Sequence, residues 1–223
     1  MTFLFTPMSD SSRSLLHAVF RFALGAVLFA LPALFFWLDA RDGGGLHENG
    51  FVEGAQVAVL LLSGLLFALS ARRADRRYAP ALLLLVLGIA CMAVRELDGF
   101  FDTAIAHGAW KFVVAPFPLA ALALAIRRPA ALRDSLAALL ATRAGHALEL
   151  FALALLAFSR SLGMKVLWTT LFGAAGFGLS EDQLAHVART AKNAMEEGSE
   201  LYAYLVLLLA ALSALRLPPR RHG

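Results

Sequence analysis

Long apolar runs recur along this chain at 15–38, 51–71, 79–101, 110–126 and 145–162, and again at 201–215, with charge only toward their ends. A helix crossing a hydrocarbon layer takes about 20 such residues. Of the 223 residues, 60% are hydrophobic and 16% charged, and the mean hydropathy is +0.71. A water-soluble core of this length has no use for so many uninterrupted apolar runs. Helices are the structure that satisfies backbone hydrogen bonds within one segment in lipid. The chain therefore reads as an all-α integral membrane protein, a bundle of about six transmembrane helices, forming a single polytopic domain over 1–223.

The punctuation between the runs fits this reading. The stretch 41–50 is glycine-rich and reads as a loop. Arginines cluster after the second run. Arg127, Arg128 and Pro129 end the fourth. Residues 130–142 carry arginines among apolar residues at helical spacing, which predicts a short interfacial helix. Residues 164–178 are apolar but short and glycine-rich, so they are expected as an interfacial or re-entrant piece. Ser180 with Gln183 three residues on has capping-box spacing, predicting that a long last helix starts near Glu181. Its first half is polar and its second apolar.

Net charge is +4, yet the basic residues sit in short clusters between spans. That pattern belongs to membrane orientation, and a nucleic-acid partner is not expected. With both termini on the cytoplasmic side of a bacterial inner membrane, the inner segments hold 12 of the 20 basic residues. Acids do not set orientation, yet 12 of the 16 fall on the outer side. Trp37, Trp110 and Trp168 fall at outer helix ends, where an interfacial belt is expected. Cys91 stands alone in an apolar run, so neither an internal disulfide nor a cysteine-zinc site is expected.

The sorted acids form a constellation. Glu53 and Gln56 open the second helix on one face. Arg95, Asp98 and Asp102, at spacings of three and four, share a stripe at the end of the third, with Glu96 off it. His107 and Lys111 precede and open the fourth. On the last helix Asn193, Glu197, Glu200 and Tyr204 follow at spacings of four, three and four, Glu196 stands at i,i+4 to Glu200, and Lys192 lies one turn before Glu196. Charge near a bilayer is costly, faces the bundle interior and marks function. Acids at helix ends can also rest in wet headgroups or suit a helix dipole. The convergence of three helices at one membrane level favours a site.

Glu53, Glu96, Asp98, Glu197 and Glu200 are the expected catalytic carboxylates. They would act as acid and base groups or, with His107, as oxygen and nitrogen ligands of a divalent metal ion. Arg95, Lys111, Gln56 and Tyr204 are the expected substrate-binding groups; Arg95, Lys111, Arg160 and Lys165 are the cations that could neutralise the acids or hold an anionic headgroup. The leading expectation is a hydrolase or transferase acting on a lipid or lipid-linked substrate at the outer leaflet, with membrane lipids as partners. A small transporter or cation conduit would need the polar path to continue inward, toward His146 and Glu149 on the fifth helix. A noncatalytic sensor or partner subunit would use the acidic face of the last helix as a contact. The histidine pair that a three-histidine zinc site would need on the last helix is missing there.

Overall fold

In the computed structural model, residues 10–41 and 50–220 are described. The expected loop between the first two helices, His47 included, lies mostly outside the described residues. Chain order is α1 (Asp10–Arg41), α2 (Phe51–Arg73), a 3-10 turn (Arg76–Tyr78), α3 (Ala79–Glu96), α4 (Asp98–Ala104), α5 (Trp110–Val114), α6 (Pro116–Arg127), α7 (Pro129–Leu140), α8 (Arg143–Leu153), a π turn (Ala154–Ser159), α9 (Arg160–Leu162), α10 (Lys165–Ala174) and α11 (Glu181–Ala214). Among the described residues six helices are long and apolar enough to cross a membrane: Ser14–Arg41, Phe51–Arg73, Arg76–Glu96, Trp110–Arg127, Arg143–Leu162 and Glu181–Ala214. Their outward faces expose Phe22, Phe112, Ile126 and Leu156. In water so many exposed apolar side chains would be an aggregation hazard; in lipid they are solvated.

The bundle is organised around α11, which packs on α2, α8 and α10 and also touches α1. Ala203, Ala210, Ala211 and Ala214 are buried along it, and small residues let backbones approach closely. Leu201 and Leu207 are buried beside them. Gly198 faces α1, where a Cβ would fall 2.8 Å from the Phe36 ring. Both arms of the capping box between Ser180 and Gln183 are present. The helix has 34 residues, roughly 51 Å at 1.5 Å per residue. That exceeds a hydrocarbon layer of about 30 Å, so its polar first half extends beyond its apolar second half by more than a headgroup layer.

Three local breaks shape the rest. The third helix stops at Glu96 instead of running on to 101. Asp98 turns its carboxylate onto the Gly99 amide (2.7 Å), a local bond that competes with helix continuation. The fourth span breaks at Ala115, where Pro116 cannot donate to the preceding turn. The fifth carries the π turn, which inserts an extra residue into the helical register.

The expected helix at 130–142 is present as α7, burying Leu132, Ser135 and Leu139 at spacings of three and four. Ser135 Oγ accepts from the Ala81 amide (3.0 Å) and so satisfies an orphan donor in the first turn of α3. In the 164–178 stretch the helix is ten residues long, too short to span.

Candidate functional site

A cavity of about 260 Å³ opens between the start of α2, the end of α3 and the polar half of α11. It is lined by Asp39, Val52, Glu53, Arg95, Glu96, Asp98, Lys192, Asn193, Glu196 and Glu197. Six of these are acids and two are bases.

The walls are built by fixed polar contacts. Asp39, at the end of α1, accepts from the amides of Phe51 (2.6 Å) and Val52 (3.2 Å). Those are orphan donors of α2, and Gly50 at the N-cap has no side chain to satisfy them. Asp39 thus clamps α1 to the mouth of α2 and lines the cavity, a role that sequence spacing does not reveal because the cap arrives across a loop. A glycine standing where a capping side chain belongs was the available signal. Glu53 lies in the first turn of α2 and lines the cavity. One turn deeper, the fully buried Gln56 donates from Nε2 to the main-chain carbonyl and to the Oε2 of Glu197, 3.0 Å each.

Behind the cavity runs a second layer. Tyr204 Oη donates to Glu96 Oε1 (2.8 Å), and Arg95 donates to the same oxygen (3.0 Å). Arg95 also stands 3.7 Å from Glu200 Oε2. Glu200, 1% exposed, accepts from Arg160 (3.1 Å) and from the buried Ser159 hydroxyl (3.4 Å). The π turn, just upstream, delivers Ser159 and Arg160 to it. Arg160 reaches Glu196 as well, and Lys192 pairs with Glu196 from one turn earlier. The result is a network joining α3, α9 and α11. Its ion pairs and hydrogen bonds restrain the charges, while the Gln56 Oε1 in the same wall is enclosed with no hydrogen-bond partner among the described residues.

Tyr204→Phe removes the one hydroxyl donor to Glu96 at a buried position. It should destabilise the protein by about 1.5–3 kcal/mol, the range for a hydrogen bond to a charged group, in reversible unfolding from mixed micelles. A change below about 0.5 kcal/mol would mean that Arg95 alone holds Glu96.

The helix break at Leu97 rearranges the expected stripe. Arg95, Glu96 and Asp98 all line the cavity, whereas Asp102 turns away to its own loop. There it accepts from the Gly108 amide (2.7 Å) and meets His107 Nδ1 (2.7 Å). Gly108 sits at φ +81°, the left-handed region that favours glycine. The Gly108 amide, followed by His107 and Lys111, holds the Asp102 carboxyl below its ordinary value. A lowered value means that the loop gains from the ionised form above the usual carboxylate range of about 3.9 and loses that gain as pH falls through the lowered value. Exchange of the Gly108 amide should therefore speed up, relative to a free peptide, once the pH drops below that range. Unchanged protection would mean the bond does not hold the loop.

Of the residues singled out in the sequence, Glu53, Glu96, Asp98, Glu197 and Arg95 line the cavity. Gln56, Glu200 and Tyr204 form the wall behind it. His107 and Lys111 do not line it: His107 is exposed on the loop, and Lys111 lies over the Trp110 ring. Lys192, Asn193 and Glu196, noted on the last helix, line the cavity as well, and Asp39 and Val52 complete the lining. Among the described residues no three His, Cys, Asp or Glu side chains gather as a metal ion would need. The carboxylates are instead engaged by arginines, Tyr204, Gln56 and backbone amides. His146 and Glu149 are exposed on α8, with His146 Nδ1 against the Thr142 carbonyl (2.7 Å).

Below the site the interior is mostly apolar, with the buried Ser63 hydroxyl, which has no hydrogen-bond partner among the described residues, between Leu60 and Phe67 on α2. Leu60, Phe67, Leu82 and Leu207 are fully buried there and belong to one continuous core. The fold and site together define a multi-helix protein of membrane-spanning composition with a polar, acid-lined cavity at one end. No known protein family, characterised protein or solved structure matches the chain.

Proposed function

We propose that the chain is a multi-pass protein of a bacterial inner membrane, with both termini cytoplasmic, and that its acidic cavity opens at the outer leaflet. There it binds the positively charged part of a lipid or lipid-linked substrate and carries out hydrolysis or transfer on it. The observation that carries this reading is the imbalance of the cavity lining, six carboxylates against two cations. Such a field concentrates cations and repels a bare anion. Arg95 and Lys192 are already committed to Glu96, Glu200 and Glu196, so the anionic-headgroup role expected for Arg95 is not the one the geometry favours.

In this reading Glu53 and Asp98, at the cavity wall, are the acid and base groups that meet substrate. Glu96, Glu200 and Tyr204 hold Arg95 and the end of α3 in position. A divalent metal ion is the alternative occupant; it would need the carboxylates to regroup as oxygen ligands. A conduit reading asks for a polar path onward, and the packed core of Leu60, Phe67, Leu82 and Leu207 lies across that route.

The test is metal analysis of detergent-purified protein, followed by thermal unfolding with added Mg²⁺, Ca²⁺ or Mn²⁺ and with ethanolamine-headgroup lipid. Wild type is compared with Glu53→Gln/Asp98→Asn. A ligand at 100 times its Kd should stabilise wild type by about 2.7 kcal/mol. The double variant should need at least about tenfold more of it, a 1.4 kcal/mol difference. If neither metal nor amine stabilises wild type, or both proteins respond alike, the cation-site reading falls.

A further inference from the structure

The opposite end of the bundle carries a second polar feature. Two cavities flank Arg216, just past the end of α11. One, of about 260 Å³, also takes in Arg143 at the start of α8. The other, of about 310 Å³, takes in Arg73 at the end of α2. No acid lines either cavity. Among the described residues none of the three arginines has a carboxylate partner.

The segment after α11 sets Arg216 between the end of α2 and the start of α8, in one cavity with each. It is strapped antiparallel along the end of α2. Ala74 pairs with Pro219, the Asp75 amide donates to Pro218 O (2.9 Å), and the Arg220 amide donates to Arg73 O (2.8 Å). Arg143 opens a helix at its positive end, where a cation is disfavoured. An anion beside Arg216 would offset that cost and the repulsion among neighbouring cations.

The shape of the lining narrows the anion. The hydroxyls of Ser70, Thr142 and Ser213 already donate to carbonyls of their own segments. Guanidinium groups are therefore the donors on offer, and their forks match phosphate oxygens. Leu215, Leu217, Pro218 and Pro219 make the remaining walls apolar, which suits a phosphate carried on an acyl-bearing molecule. The level is also right. On α2, Glu53 and Arg73 are 20 positions apart, roughly 30 Å of helix, about the thickness of the hydrocarbon layer.

We infer that Arg216, with Arg143 on one side and Arg73 on the other, binds a phosphate-bearing anion, the headgroup of an anionic phospholipid in the leaflet opposite the acidic cavity. This site is independent of what the acidic cavity binds. It differs from a general attraction of basic loops to an anionic surface, because it assigns the preference to particular arginines in a cavity.

The full chain, purified in neutral detergent, is titrated with phosphatidylglycerol, phosphatidylcholine and inorganic phosphate while thermal unfolding is followed. Phosphatidylglycerol should stabilise at concentrations at least about tenfold below phosphatidylcholine. Arg216→Gln should remove most of that preference, and Arg216→Lys should keep part of it. Arg127→Gln/Arg128→Gln, at the same end but outside both cavities, should leave it intact. If Arg216→Gln does not fold, Arg143→Gln on a separate helix carries the same expectation. Inorganic phosphate that stabilises alone and competes with the lipid supports the site with free phosphate as its source. Phosphate without effect supports the lipid. Equal response to the two lipids, or loss of preference in the Arg127/Arg128 control as large as in Arg216→Gln, overturns the inference.

Discussion

Replacing Arg95 and Arg160 together by alanine should destabilise the bundle by about 3–5 kcal/mol, the range for breaking a buried ion pair from one side. The reason lies in an asymmetry of exposure. The Arg95 and Arg160 side chains are 49% and 56% exposed, whereas Glu200 is 1% exposed. Removing the arginines strands a carboxylate that water cannot reach. Removing the carboxylate leaves two guanidinium groups that water can reach. Glu200→Gln alone should therefore lose only about 1–2 kcal/mol, as for ordinary hydrogen bonds. Adding Glu200→Gln to the arginine double variant should recover much of the lost stability. Mixed-micelle unfolding of the four proteins checks this. If the double arginine variant loses no more than Glu200→Gln does, Glu200 does not depend on them and the network behind the cavity is not held as described.

The second large effect is expected at Gly145→Ala. A Cβ there would lie 2.4 Å from Leu139 O and 2.4 Å from Leu140 Cα. These are backbone atoms at the end of α7 and cannot swing aside as a side chain tip could. The turn from α7 into α8 must open, at a cost at or above the upper end of the roughly 1–3 kcal/mol seen for overpacking. Gly88→Ala in the same assay is the contrast. Its Cβ meets nothing within 4 Å, and trading glycine for alanine inside a helix should be neutral or stabilise by up to about 1 kcal/mol. Equal effects at the two positions would mean that the α7–α8 turn relaxes freely. Because Arg143 is held by that turn, Gly145→Ala should also weaken the lipid preference at the basic end.

The apolar runs carried nearly all of the architecture, because hydropathy over about 20 residues is a long-range signal in a single stretch of chain. The start of α11 was legible from Ser180 and Gln183, since a capping box is local. The site was legible in its members and less so in its arrangement. Glu53, Glu96, Asp98 and Glu197 come together as their helical positions implied. The stripe through Arg95, Asp98 and Asp102 does not survive, because the helix breaks at Leu97, beside the bond from the Gly99 amide to Asp98, and the chain beyond takes a new direction. Asp39 escaped for a related reason, because it acts across a loop. Arg160 was legible as a cation near the acids, but its pairing with Glu200 was not, because an irregular turn that leaves no periodic trace aims it. His107 and Lys111 are close to the site in sequence, but the break after α3 sends their loop elsewhere.

The central place of α11 has a further consequence for how the protein is made. Synthesis runs from the N-terminus onward, so α2, α8 and α10 are complete before the helix they pack against exists. Until it arrives, Gln56 has no Glu197 to donate to, Glu96 has no Tyr204, and the small-residue seam along α11 is missing from the middle of the bundle. The early helices must wait in a half-built state with polar groups turned toward an unfilled centre. The final helix then completes the bundle as a keystone does an arch, and a chain stalled before residue 181 should be recognised by quality-control proteases as unfinished.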